Sequence, residues 1–214
     1  IGAREIPAEA LYGVQTLRGI ENFSISKFRL SEYPLFIKGL AITKMAAAMA
    51  NFELGLLTVE QKDAIIAACG EILDGKHHDQ FPVDMIQGGA GTTTNMNANE
   101  VIANRALELM GHERGEYQYC SPNDHVNCSQ STNDAYPTAI HIGMYFKHLQ
   151  LLPHLEELIA SFRKKGEEFS QIIKMGRTQL EDAVPMTLGQ TFNGFASILQ
   201  DEIAHLNEAA ADFL

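Results

Sequence analysis

The sequence lacks an excess of basic residues, and this absence excludes one class of partner. Its 214 residues carry 16 lysines and arginines against 27 aspartates and glutamates, a formal net charge of −11. A nucleic-acid surface needs a basic face that releases counterions from phosphates, so we expect no nucleic-acid partner. An anionic small molecule remains a possible ligand, because a few local donors decide such binding rather than the net charge.

Cysteine is scarce, and long apolar runs are missing. Cys69, Cys120 and Cys128 are an odd number without the spacing of a disulfide framework, so we expect free thiols in a reducing compartment. No run approaches the roughly 20 apolar residues of a membrane span, and no signal peptide is visible in front of the first helical segment. We therefore expect a cytoplasmic protein without membrane contact.

Several signatures of catalytic and metal sites are also missing. The chain has no Gly-x-Ser-x-Gly elbow, and its glycine-rich segment lacks the lysine and the spacing of a phosphate-binding P-loop. The turn His77–Asp79 is too clustered to hold a metal without a distant ligand, and Cys120, His125 and Cys128 lack a fourth partner and a zinc spacing. We therefore expect no metal site.

Helical periodicity is what the sequence has in quantity. Thr58 with Gln61 predicts a capping box, and Ser31 with Pro34 predicts the start of an earlier helix. No strand pattern longer than a few residues is present, so we expect a mainly α fold. The predicted helices cover residues 35–54, 58–75, a segment that ends near 110, 138–152, 155–172, and a last segment capped by Thr187.

The last predicted helix carries an apolar seam with heptad-like spacing. Such a seam requires partner helices on a shared bundle axis. The sequence stops at Leu214 with the seam unfinished, so we expect a truncated chain whose continuation packs here. We expect residues 1–120 to form a helical N-terminal domain and residues 121–214 to begin a central helical bundle. The seam consists of Leu188, Phe192, Phe195, Leu199, Ile203, Leu206, Ala210 and Phe213.

Three polar, turn-rich segments are the candidates for chemistry: Gly88–Glu100, Asn123–Thr138 and Gly176–Gln190. In the first, glycines allow backbone N–H groups to approach a ligand closely. Three threonines follow at a predicted helix start, where free N–H groups and the helix dipole favour a carboxylate. An ordinary polar helix cap is the alternative reading of the same residues.

The second and third segments each allow a structural reading beside the functional one. The second is rich in Asn, Ser, Gln and Thr, small neutral groups that suit a desolvated site, but a buried network joining two helices would use the same residues. In the third, Arg177 is able to bind a carboxylate in a bidentate way. We favour instead an ion pair from Arg177 to Glu181 or Asp182 that pins the segment.

These motifs resemble the signature regions of the aspartase/fumarase superfamily. The resemblance rests on residues 89–100, 125–138 and 176–190, together with an N-terminal arm over 6–18, and it follows one order along essentially the whole chain. Two details favour the aspartase branch. The second motif reads Ser-Thr-Asn-Asp where fumarases usually carry Ser-Ser-Asn-Asp, and Gln179 stands where fumarases carry a histidine.

The resemblance implies a carbon–nitrogen lyase that reversibly deaminates L-aspartate to fumarate and ammonia, without a cofactor. The reaction passes through an aci-carboxylate intermediate, whose charge preorganised donors would stabilise. By the same resemblance, the hydroxyls of Thr92, Ser131 and Thr132 hold one carboxylate of the substrate. The amides of Asn133 and Gln179 face the amino group, and the hydroxyl of Thr178 binds the second carboxylate.

The resemblance also implies what these 214 residues do not contain. In the family, the catalytic base is a serine on a mobile Gly-Ser-Ser loop beside a substrate-binding lysine, and neither motif occurs here. We therefore expect the base C-terminal to Leu214 and no catalytic residue in this segment. The family assembles its active sites in homotetramers, so a homotetramer is expected for the full-length protein.

Two alternatives remain open at this point. Within the superfamily, the protein could be a fumarate hydratase or a lyase for another succinyl compound. In a different class, the segment would be a non-catalytic helical association module. Ammonia release from aspartate and hydration of fumarate, measured on the full-length protein, separate these possibilities.

Overall fold

The computed structural model describes residues 3–213, and it is mainly helical, as predicted. Two short 3₁₀ turns at Leu30–Glu32 and His78–Gln80 and a π-helical turn at Pro122–Val126 connect the longer elements. All three cysteines are free thiols. The helices are α1 (Val14–Asn22), α2 (Pro34–Glu53), α3 (Val59–Leu73), α4 (Thr92–Leu109), α5 (Thr132–Glu168) and α6 (Leu188–Ala211), and the strands are β1 (Ile173–Thr178) and β2 (Glu181–Thr187).

The described chain divides into two compact units, one up to Met144 and one from Tyr145 onward. The domain boundary expected between residues 120 and 121 stays a prediction. In the first unit, α2, α3 and α4 pack around a common core that includes Leu40, Ile65 and Val101.

Helix α2 contributes Ile37, Leu40 and Ala41 to this core. Its first residue is Pro34 with Tyr33 as N-cap, so the prediction of Ser31 as the cap was wrong; Ser31 lies in the preceding 3₁₀ turn. By length and composition alone, α2 is apolar enough to cross a membrane, contrary to expectation. Its buried face packs within the unit, and a lysine, Lys44, lies on that face.

Helix α1 is capped by a residue that is distant in sequence. Its own N-cap, Gly13, supplies no side-chain hydrogen bond. The Glu100 carboxylate of α4 accepts instead from the backbone N–H of Gly13, Gln15 and Thr16, at 2.8 to 3.0 Å. It also accepts from the Thr16 hydroxyl at 2.6 Å. A carboxylate at this position complements both the free N–H groups and the helix dipole.

Helix α5 corrects the prediction of two helices over 138–152 and 155–172. One helix runs continuously from Thr132 to Glu168, through Pro137 and Pro153. Each proline removes one i to i−4 hydrogen bond, but helix propagation is cooperative and continues in the residues on either side. The helix begins at Thr132. The hydroxyl of Ser131 caps its first turn by accepting from the Asn133 N–H at 3.1 Å.

The third polar segment is a β-hairpin, so the expectation of a loop without strands was wrong. Strands β1 and β2 pair antiparallel, with Thr178 opposite Glu181. The two turn residues, Gln179 and Leu180, have φ angles of 49° and 68°. A two-residue turn with both φ angles positive matches the right-handed twist of the strands. The predicted pin is confirmed, since Arg177 Nε lies 3.1 Å from the Asp182 carboxylate.

The second unit contains the hairpin, α6 and the later part of α5. The predicted cap at Thr187 is confirmed, because its hydroxyl accepts from the Gln190 N–H, and Gln190 completes a capping box. The apolar seam is partly buried: Ile203 packs in a cluster with Ile159 of α5, whereas Phe195 remains 47% exposed. Leu214, on which the prediction of a truncated seam falls, lies outside the described residues.

Candidate active site

The first turn of α4 follows a glycine turn that tolerates no side chain. Gly91 is the N-cap residue, with a φ of 82°. A Cβ on Gly91 would overlap the ring of Tyr136. Helix α4 begins directly at Thr92, so most of the predicted loop 88–100 is helical. Of the N–H groups that a helix start leaves free, that of Thr94 donates to Gln87 Oε1 at 2.8 Å.

Replacement of Gly91 by alanine is expected to lower the free energy of unfolding by about 2–4 kcal/mol, because left-handed strain adds to overlap with Tyr136. Chemical denaturation measures this loss. Gly111→Ala is the matched control, since Gly111 has the same φ of 82° and open space around its Cβ position. The control should lose only about 1 kcal/mol. Equal losses in both variants would show that Tyr136 does not constrain the turn.

A cleft of about 470 Å³ opens beside this turn. Its walls come from the stretch Met85–Gln87, the turn Gly89–Gly91, and Asn133, Tyr136 and Pro137 at the start of α5. Asn133, one of the predicted substrate-binding residues, therefore faces an open cavity. Thr92, the residue that directly follows the glycine turn, is exposed.

Below the surface, a buried polar network joins the starts of α4 and α5. Asn95 Nδ2 donates to Thr132 Oγ1 at 3.1 Å and to Asn127 Oδ1 at 3.0 Å. Lys44 Nζ donates to Asn95 Oδ1 at 2.7 Å, to Asn127 Oδ1 at 2.9 Å and to Gln130 Oε1 at 3.0 Å. The network brings Thr132 of α5 to the first turn of α4, where Thr92 lies.

Lys44 is the unusual member of this network, because its side chain is fully buried. Burial lowers the pKa of Lys44 from 10.5 to about 7. The three amide oxygens oppose this effect, since only the ammonium form has three donors for three acceptors. The nearby thiol of Cys69 carries no charge at neutral pH, because burial raises its pKa to about 12.

The predicted site residues thus fall into two groups. Ser131, Thr132 and Asn133 begin α5, and Thr92 begins α4, within the first unit. Thr178 and Gln179 lie at the hairpin turn of the second unit, and both are exposed. Within residues 3–213, no group of three or more His, Cys, Asp and Glu side chains is arranged to hold a metal ion.

Sequence reasoning missed Lys44 and Asn95. A signal for Lys44 was present, because the buried residues of α2 recur at helical spacing and Lys44 occupies one of these positions. A lysine in register with core residues needs buried acceptors. These positions are Ile37, Ala41, Lys44, Ala48 and Asn51.

The fold and this site define a mainly helical protein in which the N-termini of α4 and α5 place hydroxyl and amide side chains beside an open cleft. Comparison with known sequences agrees with that class: the pattern of the lyase family matches residues 2–214, and the chain belongs to this family.

Several similar proteins are named aspartate ammonia-lyase. The chain is 58% identical over its whole length to an aspartate ammonia-lyase from Pseudomonas canavaninivorans, of which it covers 45%. It is 56% identical to the aspartate ammonia-lyase of Escherichia coli strain K12, over 98% of this chain and 44% of that protein. The chain therefore spans about 45% of the length of these curated relatives.

Solved structures show the same fold. The native crystal structure of a Brucella melitensis protein described as fumarate lyase:delta crystallin superposes with a TM-score of 0.93 at 54% identity, covering 98% of this chain and 47% of that one. A class II fumarase from Schistosoma mansoni superposes with a TM-score of 0.85 at 38% identity, covering 97% of this chain and 44% of that one.

Proposed function

We propose that this chain is part of a carbon–nitrogen lyase that interconverts L-aspartate with fumarate and ammonia. The observation that carries the proposal is the meeting of two helix N-termini, through Asn95 and Thr132, beside an open cleft. Free N–H groups and hydroxyls at such ends favour carboxylates. The names of the relatives that are 56–58% identical support aspartate as the substrate.

The difficult step of this reaction is removal of the weakly acidic proton at C3 of aspartate. The electron pair left behind spreads onto the C4 carboxylate as an aci-carboxylate, and its collapse expels the amine. Preorganised donors stabilise charge that develops in the transition state more than charge in the ground state. In the proposal, Thr92, Ser131 and Thr132 supply these donors to the C4 carboxylate.

The remaining contacts are assigned to neutral groups. Asn133 and Gln179 face the amino group, and Thr178 binds the second carboxylate. Gln179 has an amide that is neither acid nor base, so it orients the substrate without transferring a proton. We further propose that the full-length protein carries the serine base and needs no cofactor for this chemistry. We also propose that it assembles as a homotetramer and lies in the cytoplasm.

Thr178→Ala tests the assignment of the hairpin. In the full-length protein, we expect kcat/KM for L-aspartate to fall about tenfold or more, because a hydrogen bond to a charged group is lost. Release of ammonia is the measurement. Thr178→Ser is the matched control, since it keeps the hydroxyl and should retain most of the activity. Unchanged kinetics in Thr178→Ala would remove the hairpin from the proposed site.

The alternatives are separated by two assays on the unaltered full-length protein. Release of ammonia from L-aspartate, with little hydration of fumarate, supports the proposal. The reverse result identifies a fumarate hydratase, the activity named for the Schistosoma mansoni neighbour. Activity in neither assay supports a helical association module.

A further inference from the structure

The orientation of the Asn95 amide is fixed by Lys44 in its ammonium form, which the three surrounding acceptor oxygens favour. An ammonium has three N–H donors and no acceptor, so the atom of Asn95 that lies 2.7 Å from Lys44 Nζ is the oxygen. The amide nitrogen must then point the other way, toward Asn127 Oδ1 and Thr132 Oγ1. Asn127 agrees with this arrangement, because its oxygen accepts from Lys44 and its nitrogen donates to the Gln130 carbonyl.

This orientation determines what the Thr132 hydroxyl can do. A hydroxyl has one proton to donate and two lone pairs. Because Asn95 Nδ2 donates to Thr132 Oγ1, the hydroxyl proton has no role in that bond and is available for another acceptor. A carboxylate at the half-buried start of α5 is such an acceptor.

The neutral amide at position 95 is a second observation in favour of a carboxylate ligand near Thr132. A carboxylate would be the usual partner of a buried lysine, because it would neutralise the charge. All three acceptors of Lys44 are neutral amides instead. The buried positive charge is therefore not cancelled by these contacts, and it lies beneath the helix starts that face the cleft.

We propose that Lys44 and Asn95 are positioning residues that hold the Thr132 hydroxyl as a hydrogen-bond donor toward a carboxylate of the substrate. Lys44 fixes the Asn95 amide, and the amide fixes the direction of the hydroxyl. The inference rests on the proposed function, since it uses Thr132 as a contact to the dicarboxylate. It adds two buried residues that touch no substrate themselves.

Asn95→Asp tests the direction of the bond. A carboxylate at position 95 has nearly the same shape and retains a partner for Lys44, but it can only accept, so the Thr132 hydroxyl turns its proton inward. In the full-length protein we expect kcat/KM for L-aspartate to fall and the dissociation constant of succinate, an unreactive dicarboxylate, to rise. Each change should be about ten- to a hundredfold.

Asn95→Asp also adds a negative charge that repels a dicarboxylate. Two comparisons separate this repulsion from the reversal of the hydrogen bond between residues 95 and 132. In a Thr132→Val background no hydroxyl is present, so Asn95→Asp should cost much less than in the wild-type background. Asn127→Asp places the same charge beside Lys44 and keeps the Asn95-to-Thr132 bond. Its loss should be smaller, and equal with and without the Thr132 hydroxyl.

Asn95→Leu is the second variant if Asn95→Asp fails to fold. It removes the donor without adding charge, and its loss should likewise disappear in the Thr132→Val background. Losses that are the same in both backgrounds would overturn the positioning role. If Thr132→Val alone leaves kcat/KM and succinate affinity unchanged, the failure lies in the proposed function, because Thr132 then does not bind substrate.

Discussion

Lys44→Met is expected to lower the free energy of unfolding by about 3–5 kcal/mol, the usual cost of removing one partner from a buried charged contact. Methionine has a similar length and fills the space. It leaves the side-chain oxygens of Asn95, Asn127 and Gln130 without the donor that they share. An unsatisfied buried acceptor costs about 1–3 kcal/mol. Chemical denaturation near neutral pH, without ligand, measures the loss.

Lys38→Met is the matched control, because Lys38 lies on the same helix and is only partly buried. A surface substitution of this kind changes stability by about 0.5 kcal/mol or less. If Lys44→Met were no more destabilising than Lys38→Met, the buried network would have no part in holding the first unit together.

The pH dependence of this loss follows from the pKa of Lys44. Burial lowers that pKa from 10.5 to about 7 in the folded protein. Between these two values the unfolded chain binds more protons than the folded one, so the stability of the wild type rises with pH. This contribution is complete above the unfolded pKa and is lost as the pH falls toward 7. The difference between wild type and Lys44→Met should therefore grow from pH 7 to pH 9, and a constant difference would contradict it.

A protein made of residues 1–214 alone is expected to release no ammonia from L-aspartate, whereas the full-length protein does so. The donors proposed at α4, α5 and the hairpin stabilise negative charge, but none of them is a base matched to the C3 proton. General base catalysis requires a group whose pKa suits that transfer. Circular dichroism should first confirm that the shortened protein is helical. Turnover at a rate comparable to that of the full-length protein would place a base within these 214 residues.

Local signals in the sequence predicted much of the secondary structure. The predicted capping box at Thr58 and the predicted cap at Thr187 are both present, because a hydroxyl at a helix start accepts from the free N–H three residues further on. Helix α4 ends at Leu109, as expected from the predicted end near residue 110, and Gly111 follows with a φ of 82°. These features depend on neighbouring residues alone, and this is why one sequence is sufficient to find them.

Features that depend on distant contacts were harder to predict. The predicted helices over 138–152 and 155–172 each began after a proline, yet α5 passes through both Pro137 and Pro153. The hairpin was missed because its turn uses Gln179 and Leu180 rather than glycine or asparagine, the residues that usually occupy left-handed positions. In both cases local preference is overcome by the structure around the segment.

The candidate site divides in the same way. The polar motifs identified hydroxyls and amides near helix starts, and the structure places Thr92 and Thr132 there. The residues beneath them were missed, because the helical spacing places Lys44 among buried positions but does not show which acceptors surround it. Only the fold brings Lys44 to Asn95 and Asn127, which are far apart in the sequence.

The distant cap of α1 has a consequence for synthesis on the ribosome. The helix has only nine residues, and a helix this short is marginal in water by itself. Its capping carboxylate, Glu100, is translated 84 residues after Thr16. The nascent arm therefore leaves the ribosome before its partner exists, and it becomes a stable helix only once α4 has emerged and folded. Helix α1 is therefore translated before α4 but depends on α4 for its cap.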